Sequence, residues 1–384
     1  MRGSVAIAGV GLAGCGEAPG WTEMEIAAAA AGNALADAGL TARDVDGVVI
    51  ASTNIFMSGL ALAEHLGIRP KFTESSMIGG SSFVGHLIPA ALALNAGLCD
   101  TVLVAYGSNQ RTGTGRAEAG RHKMALDPQP FEHPYKPFNP PSSYALAAAR
   151  HMHQYGTTRE QLAEIAVAAR RWAQLNPEAF AREPLTVQEV LGSRMVSDSL
   201  TVRDCCLVTD GGGAYLLTRA GRAADLPKPA AYLLGVASAH WHRQISSMPD
   251  LTVTAATESG ARAFAMAGLG PQDVDVLELY DAFTINTLLF LEDLGFCAKG
   301  EGGAFVAGGR IAPGGSLPVN TNGGGLSCVH PGMYGIFLLV EAVRQLRGEA
   351  GARQVKGAQV ALAHGNGGVF SSQITALLGT RDTL

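Results

Sequence analysis

Apolar residues recur at helical spacing through residues 31–40, AGNALADAGL, and the chain then reads TARDVD before an unbroken apolar run, GVVI. Residues 260–279, GARAFAMAGLGPQDVDVLEL, repeat the same succession. Each stretch predicts a helix stopped by glycine in the left-handed conformation, followed by a buried strand. The likeness continues downstream. Gly79-Gly80 leads into SSFVGHLIPAALALNAG, a helical pattern, and then TVLVAYGSN, a strand that ends in polar residues. In the second half, Gly323-Gly324-Gly325 precedes GMYGIFLLVEAVRQLRG and then QVALAHGNGG.

Each half is therefore predicted as strand, helix, strand, glycine-rich turn, helix, strand. Such alternation argues for an α/β fold with a mainly parallel sheet and helices on its faces. The halves are expected at about 1–225 and 226–384. The first carries an insertion over roughly 110–200, proline-rich at HPYKPFNPPSSY and helical at REQLAEIAVAARRWAQLN. A long insertion of this kind reads as a lid or substrate-covering loop domain, with FEHPYKPFNPPSSY suited to an apolar wall. Sites on parallel sheets form beyond the carboxyl ends of strands. Four segments qualify: Gly79–Ser82, Tyr280–Thr284, Asn320–Tyr334 and His364–Gly368.

Composition narrows the classes. Of 384 residues, 47% are hydrophobic and 16% charged, enough for a large core and unlike a disordered chain. The net charge of −5 gives no electrostatic basis for binding nucleic acid. The cysteines are Cys15, Cys99, Cys205, Cys206, Cys297 and Cys328; no C-x-x-C pair occurs, which argues against a zinc or dithiol site and predicts reduced thiols in the cytoplasm. The N-terminal MRGSVAIAGVGLAGCG is too short and too broken by glycine for a membrane span or signal peptide. Within it, GVGLAG matches a dinucleotide-binding fingerprint, but no helix opens on its glycines. A capping box at Thr22 and Glu25 places the helix start later, so only a glycine-rich loop is expected.

The candidate chemistry gathers in four stretches: DCCLVTDGGGAYLLT (204–218), ELYDAFT (278–284), NTNGGGLSCVHPGMYG (320–335) and AHGNGG (363–368). Together they resemble the thiolase superfamily, in its sterol-carrier-protein type, over almost the full length. The resemblance implies a thiolase fold of two βαβαβαββ copies in a five-layered αβαβα arrangement. It also exposes departures. The cysteine nucleophile position falls at Gly80, beside Ser81 and Ser82. The Asn-Glu-Ala-Phe segment becomes Tyr280-Asp281-Ala282-Phe283. The Gly-His-Pro motif becomes Val329-His330-Pro331, and Cys-x-Gly-Gly-Gly becomes His364-Gly365-Asn366-Gly367-Gly368. Cys328 matches neither catalytic thiol and is expected to be a small buried residue.

Without those thiols, enolate chemistry remains open. The pattern is similar to the steroid side-chain-cleaving aldolases, thiolase-like proteins without the catalytic cysteine. That resemblance implies retro-aldol cleavage of a β-hydroxyacyl-CoA to a ketone and a short acyl-CoA such as propionyl-CoA. Tyr280 or Tyr334 would take the hydroxyl proton, His330 would hold the enolate oxygen, and His364 would be a second donor or the acid to Cα. Backbone N–H groups at Gly80–Ser81 and Gly367–Gly368 would hold the thioester, with Ser82 lining the turn. Asp281 would orient a neighbour or cap a helix. No metal and no cofactor beyond the substrate's own CoA is implied. The implied assembly is a homodimer carrying two chains of an OB-fold, zinc-ribbon partner, a heterotetramer. Two other readings stay open: a thiolase or acyltransferase using a serine or displaced cysteine, and a non-catalytic subunit that binds acyl-CoA or lipid. Among the other histidines, His240 and His242 flank Trp241 on a loop leaving a strand, and His151 and His153 are expected on an exposed helix.

Overall fold

The computed structural model describes residues 1–113 and 132–384. Part of the insertion, including Phe131 of the expected apolar wall, lies outside the described residues. Five strands form the first half of the sheet: β1 (Val5–Gly16), β2 (Gly47–Ile50), β3 (Phe72–Glu74), β4 (Thr101–Ser108) and β7 (Asp210–Arg219), in the order β3-β2-β4-β7-β1. Four form the second: β8 (Ala231–His240), β9 (Val276–Leu279), β10 (Val360–Gly367) and β11 (Ser372–Gly379), in the order β8-β11-β10-β9. The halves meet where Ala6 pairs Tyr232 and Ile7 pairs Ala231. A small hairpin, β5 (Met195–Ser197) with β6 (Leu200–Thr201), stands apart.

The repeat is present as expected. Helices α1 (Glu23–Ala38) and α7 (Ala256–Ala267) both end on left-handed glycines, Gly39 and Gly268, and a single 3-10 turn leads each chain into β2 or β9. Between them in sequence lie α2 (Ser58–Leu66), α3 (Ser82–Gly85), α4 (Leu87–Asn95), α5 (Pro141–Tyr155) and α6 (Arg159–Gln174); α8 (Thr284–Asp293) and α9 (Gly335–Arg347) follow. Helix α1 covers one face of β1, β4 and β7, and α7 covers β8 and β11. Between the halves lie α3, α4 and α9, and α9 touches strands of both. The layers therefore run α, β, α, β, α, the thiolase fold. The central helix α9 is buried over most of its length, which accounts for its apolar run IFLLV.

The sheet is not mainly parallel. Only β2–β3, β2–β4 and β9–β10 run parallel; the other pairings are antiparallel. A tight turn joins β10 to β11, and a short connection of that kind forces antiparallel pairing. GVGLAG is not a loop: it lies inside β1, where a Cβ on Gly9 or Gly11 would stand 2.4 Å from the α1 backbone. These glycines admit helix–strand contact rather than a phosphate. Thr22 caps α1 with Glu25 as the sequence indicated. Among the described residues, no helix is long and apolar enough to cross a membrane.

Candidate active site

The four segments chosen from the sequence converge. Tyr280 follows β9, and its N–H donates to the His364 carbonyl at 3.0 Å, which ties it to the middle of β10. Its phenol reaches across the turn Gly79–Ser81. A Cβ built on Gly80 would stand 2.3 Å from the Tyr280 Oη and 2.4 Å from Cζ, so the tyrosine fills the space a side chain at position 80 would need. The Oη lies 3.2 Å from His330 Nε2 and 3.4 Å from the Gly332 carbonyl, and accepts the Tyr334 N–H at 3.1 Å. Burial raises the Tyr280 phenol and pushes His330 down to about 4. Both groups are thus neutral near pH 7, and the one hydroxyl proton of Tyr280 lies within reach of both the imidazole nitrogen and the Gly332 carbonyl.

His330 and Tyr334 are presented by the segment after the π-helical turn Gly324–Cys328. Asp281 holds that turn: its carboxylate accepts the N–H groups of Gly325 at 2.6 Å and Leu326 at 3.3 Å. Burial pushes Asp281 up to about 7 against the pull of these donors. Thr209 Oγ1 accepts the His330 N–H at 3.0 Å. The Tyr334 hydroxyl donates to Asn322 Oδ1 at 2.9 Å, so its backbone amide, not its hydroxyl, touches Tyr280. Tyr334 is fully buried, its ring parallel to those of His330 and Phe337.

His364 is not part of this cluster. Along β10 alternate side chains face opposite ways. Gly365 faces Ser81 and Val84, while the His364 ring packs against Phe290 of α8. Both its nitrogens are engaged, Nδ1 with Thr375 Oγ1 at 2.9 Å and Nε2 with Gln373 Oε1 at 2.8 Å. Gln373 donates to Asn366, Asn366 to the Tyr144 hydroxyl, and Tyr144 to the Gly368 carbonyl. The donors run in one direction, and the chain ties α5 of the insertion to the glycine-rich end of β10. Burial pushes His364 to about 4, so it stays neutral in this network. The placement does not suit an acid to Cα, because the ring points away from Tyr280.

A cavity of about 680 Å³ has Arg111, Arg170, Arg203, Cys206, Leu326 and Ser327 in its walls, and Tyr280, His330 and Tyr334 do not line it. Its inner wall is stitched to the tyrosine segment: Cys206 N–H donates to the Ala282 carbonyl and Leu207 N–H to that of Gly325. Arg170 is buried, its Nε on Ser327 Oγ and its Nη1 on the Glu183 carbonyl.

Residues 237–380 match the family model for a thiolase C-terminal domain-like region. A protein named steroid side-chain-cleaving aldolase, from Thermomonospora curvata, is 34% identical over 91% of this chain and 91% of its own. The chain belongs to the thiolase superfamily. An acetyl-CoA acetyltransferase from Methanothermobacter thermautotrophicus is 35% identical over 95% of this chain and 96% of its own. Among solved structures, an Ltp2-ChsH2(DUF35) aldolase superposes with a TM-score of 0.89 at 33% identity, covering 99% of this chain and 98% of that one.

Within that superfamily, this chain offers no thiol at the cluster. Cys328 is buried beside Asn176 and burial drives its thiol well up, which opposes a thiolate. All six cysteines are free. The Ser81 hydroxyl is held by the Ile78 carbonyl and Ser372, and that of Ser82 by the Gly79 carbonyl, with no imidazole on either. Gly79 packs on Gly367 and Gly368, so the two glycine turns assigned to the thioester do adjoin. His151 is not exposed: it is fully buried, with Thr157 on Nδ1 and Glu292 on Nε2. His242 bonds the Val369 carbonyl. Sequence reasoning passed over Asn322, Thr209, Tyr106 and Tyr144. Asn322 stands in the NTN triplet and Tyr144 closes NPPSSY, but neither carries a spacing that announces its partner.

Proposed function

We propose that this chain is a lyase that cleaves a β-hydroxyacyl-CoA by retro-aldol chemistry. One observation carries the reading: Tyr280, within hydrogen-bond distance of His330, fills the space at Gly80, where a thiolase would hold its nucleophile. An acyl-enzyme requires an activated nucleophile, and a retro-aldol step requires only proton transfer and a place for the enolate charge.

Tyr280 takes the β-hydroxyl proton as its own proton passes to His330 Nε2. The Cα–Cβ bond breaks, its electron pair forms the thioester enolate, and the hydroxyl carbon becomes the ketone. The enolate oxygen is held by the His330 side of the site and by N–H groups of the Gly80–Ser81 and Gly367–Gly368 turns. The proton taken from the hydroxyl returns to Cα, so no net proton is consumed. Tyr334 steadies the Tyr280 oxygen through its amide, and its hydroxyl is the second proton-bearing group of the cluster. The steroid side-chain substrate follows the name of the Thermomonospora relative. The cavity walled by Leu326 and Ser327 carries Arg203 and Arg170 beside an Arg111–Glu17 ion pair, a lining in which Arg203 could meet a phosphate of CoA.

The assembly is a homodimer that carries an OB-fold, zinc-ribbon partner, in line with the DUF35 chain named in the aldolase structure. Phe56, Met57, Leu60 and Met77 lie exposed near the edge strand β3 and suit a second copy. Acyl transfer is the second reading, favoured by the archaeal acetyltransferase of equal likeness.

The test supplies a β-hydroxyacyl-CoA with a tertiary alcohol, with and without the partner and without free CoA. Ketone and short acyl-CoA are expected, and Tyr280→Phe should abolish them. Product only when free CoA is added would overturn the lyase in favour of a transferase. Binding without product in every condition would leave a non-catalytic subunit.

A further inference from the structure

The turn that follows His330 is held from two sides by phenols, and only one of them belongs to the proposed proton relay. From the second half, Tyr280 Oη contacts the Gly332 carbonyl and the Tyr334 N–H. From the first half, Tyr106 of β4 reaches the same turn. Its hydroxyl donates to the Pro331 carbonyl and accepts the Met333 N–H at 3.2 Å. The two hydroxyls thus interleave along Pro331–Tyr334 and share the Gly332–Met333 peptide, its carbonyl facing Tyr280 and its N–H facing Tyr106, with Gly332 at φ +91°.

Tyr106 is buried, and its ring packs 4.8 Å from Phe83 of α3, the helix that opens after Gly80. It therefore touches both the glycine turn's helix and the histidine's turn, while its hydroxyl bonds the turn's backbone rather than Tyr280 or His330. We propose that Tyr106 is a positioning residue for the proton relay. It fixes the Pro331–Met333 backbone so that the Tyr280 proton remains available to His330 and substrate rather than being drawn to the Gly332 carbonyl.

The physical reason lies in what Tyr280 is asked to do. A single hydroxyl proton lies within reach of His330 Nε2 at 3.2 Å and of the Gly332 carbonyl at 3.4 Å. During turnover that proton leaves and returns. If Tyr280 alone held the turn, each transfer would loosen the segment that carries both His330 and Tyr334. A second phenol that never gives up its proton removes this coupling. Burial raises the Tyr106 phenol strongly, which keeps it protonated throughout.

The inference rests on the retro-aldol reading, and the experiment separates the two. Tyr106→Phe keeps the ring and deletes only the hydroxyl. Thr218→Val is the comparison, because Thr218 Oγ1 makes a half-buried bond to the Asp100 carbonyl at 2.8 Å, at the far end of the β4–β7 pairing. Tyr106→Phe loses the two hydrogen bonds of its hydroxyl and Thr218→Val loses one, so both should lose thermal stability, Tyr106→Phe somewhat more. Only Tyr106→Phe should lose kcat, by about 10- to 100-fold with KM little changed, since misplacing a catalytic group by a fraction of an ångström costs rate rather than affinity. Its pH–rate profile should shift, and the His330 imidazole ¹⁵N resonances should move because the Tyr280 bond is weakened. Equal kcat losses in the two variants, or unchanged His330 resonances in Tyr106→Phe, would overturn the proposal. If the wild type turns over no β-hydroxyacyl-CoA, the retro-aldol reading fails, and the ¹⁵N measurement still decides whether Tyr106 governs the Tyr280–His330 bond.

Discussion

A methyl group added at Gly80 tests whether the tyrosine and the missing side chain are reciprocal. In Gly80→Ala the new Cβ would sit 2.3 Å from Tyr280 Oη and Cε2. Ordinary carbon contacts begin near 3.5 Å, so one partner must retreat by about 1 Å. The turn has little room: Gly335 packs on the Gly80 carbonyl, where its own Cβ would meet the oxygen at 2.3 Å. Tyr280 is tethered by its N–H to His364 and is crossed edge-on by the His330 and Tyr334 rings at 5.7 Å. Retreat of the phenol by 1 Å would carry a 3.2 Å bond to His330 beyond hydrogen-bond range. The expected result is a fall in the retro-aldol rate of about 10²-fold. Overpacking should also cost roughly 1–3 kcal/mol of stability. Steady-state kinetics and a thermal melt report the two. Gly32→Ala is the control, because nothing lies within 4 Å of a Cβ there. Wild-type activity in a folded Gly80→Ala protein would refute the claim that Tyr280 occupies the nucleophile's place in the working enzyme.

Three further outcomes follow from the burial of polar groups. His86, His330 and His364 are each pushed down to about 4 by burial, so the unfolded chain binds more protons between about pH 6.5 and 4. Their contribution is complete above pH 6.5 and is lost as pH falls, by roughly 3 kcal/mol each at pH 4; urea melts across that range should show it, and His86→Gln should shallow the slope. Cys328→Ala should retain activity, and Cys328 should resist iodoacetamide in the native protein; a loss beyond tenfold would restore a thiol mechanism. Asp281→Ala leaves the Gly325 and Leu326 N–H groups without their acceptor and should cost roughly 2–4 kcal/mol, read from denaturant midpoints.

Much of the site was legible because its residues follow strand ends. Tyr280 follows β9 directly, and the four chosen segments do meet. The role expected of His364 was not supported by its placement. A one-residue step along a strand reverses the face, and a motif match does not register which face a side chain takes. Strand direction is not legible in the sequence, since alternating strands and helices record the order of elements and not which strands become neighbours. His151 shows the same limit: a histidine among polar neighbours reads as exposed, yet Glu292 from a distant helix draws it inside.

The sequence by itself determined the repeat, the helix stops, the apolar central helix and the absence of a cysteine at the glycine turn. These depend on local propensity and on residue identity, which are carried in contiguous stretches. Only the tertiary structure decided that Tyr280 stands over Gly80, that His330 rather than His364 is its partner, and that Tyr106 shares the turn. Those are contacts between residues far apart in the chain. Whether a buried hydroxyl is a relay, a brace or a spacer depends on the few ångströms that separate it from groups on other elements.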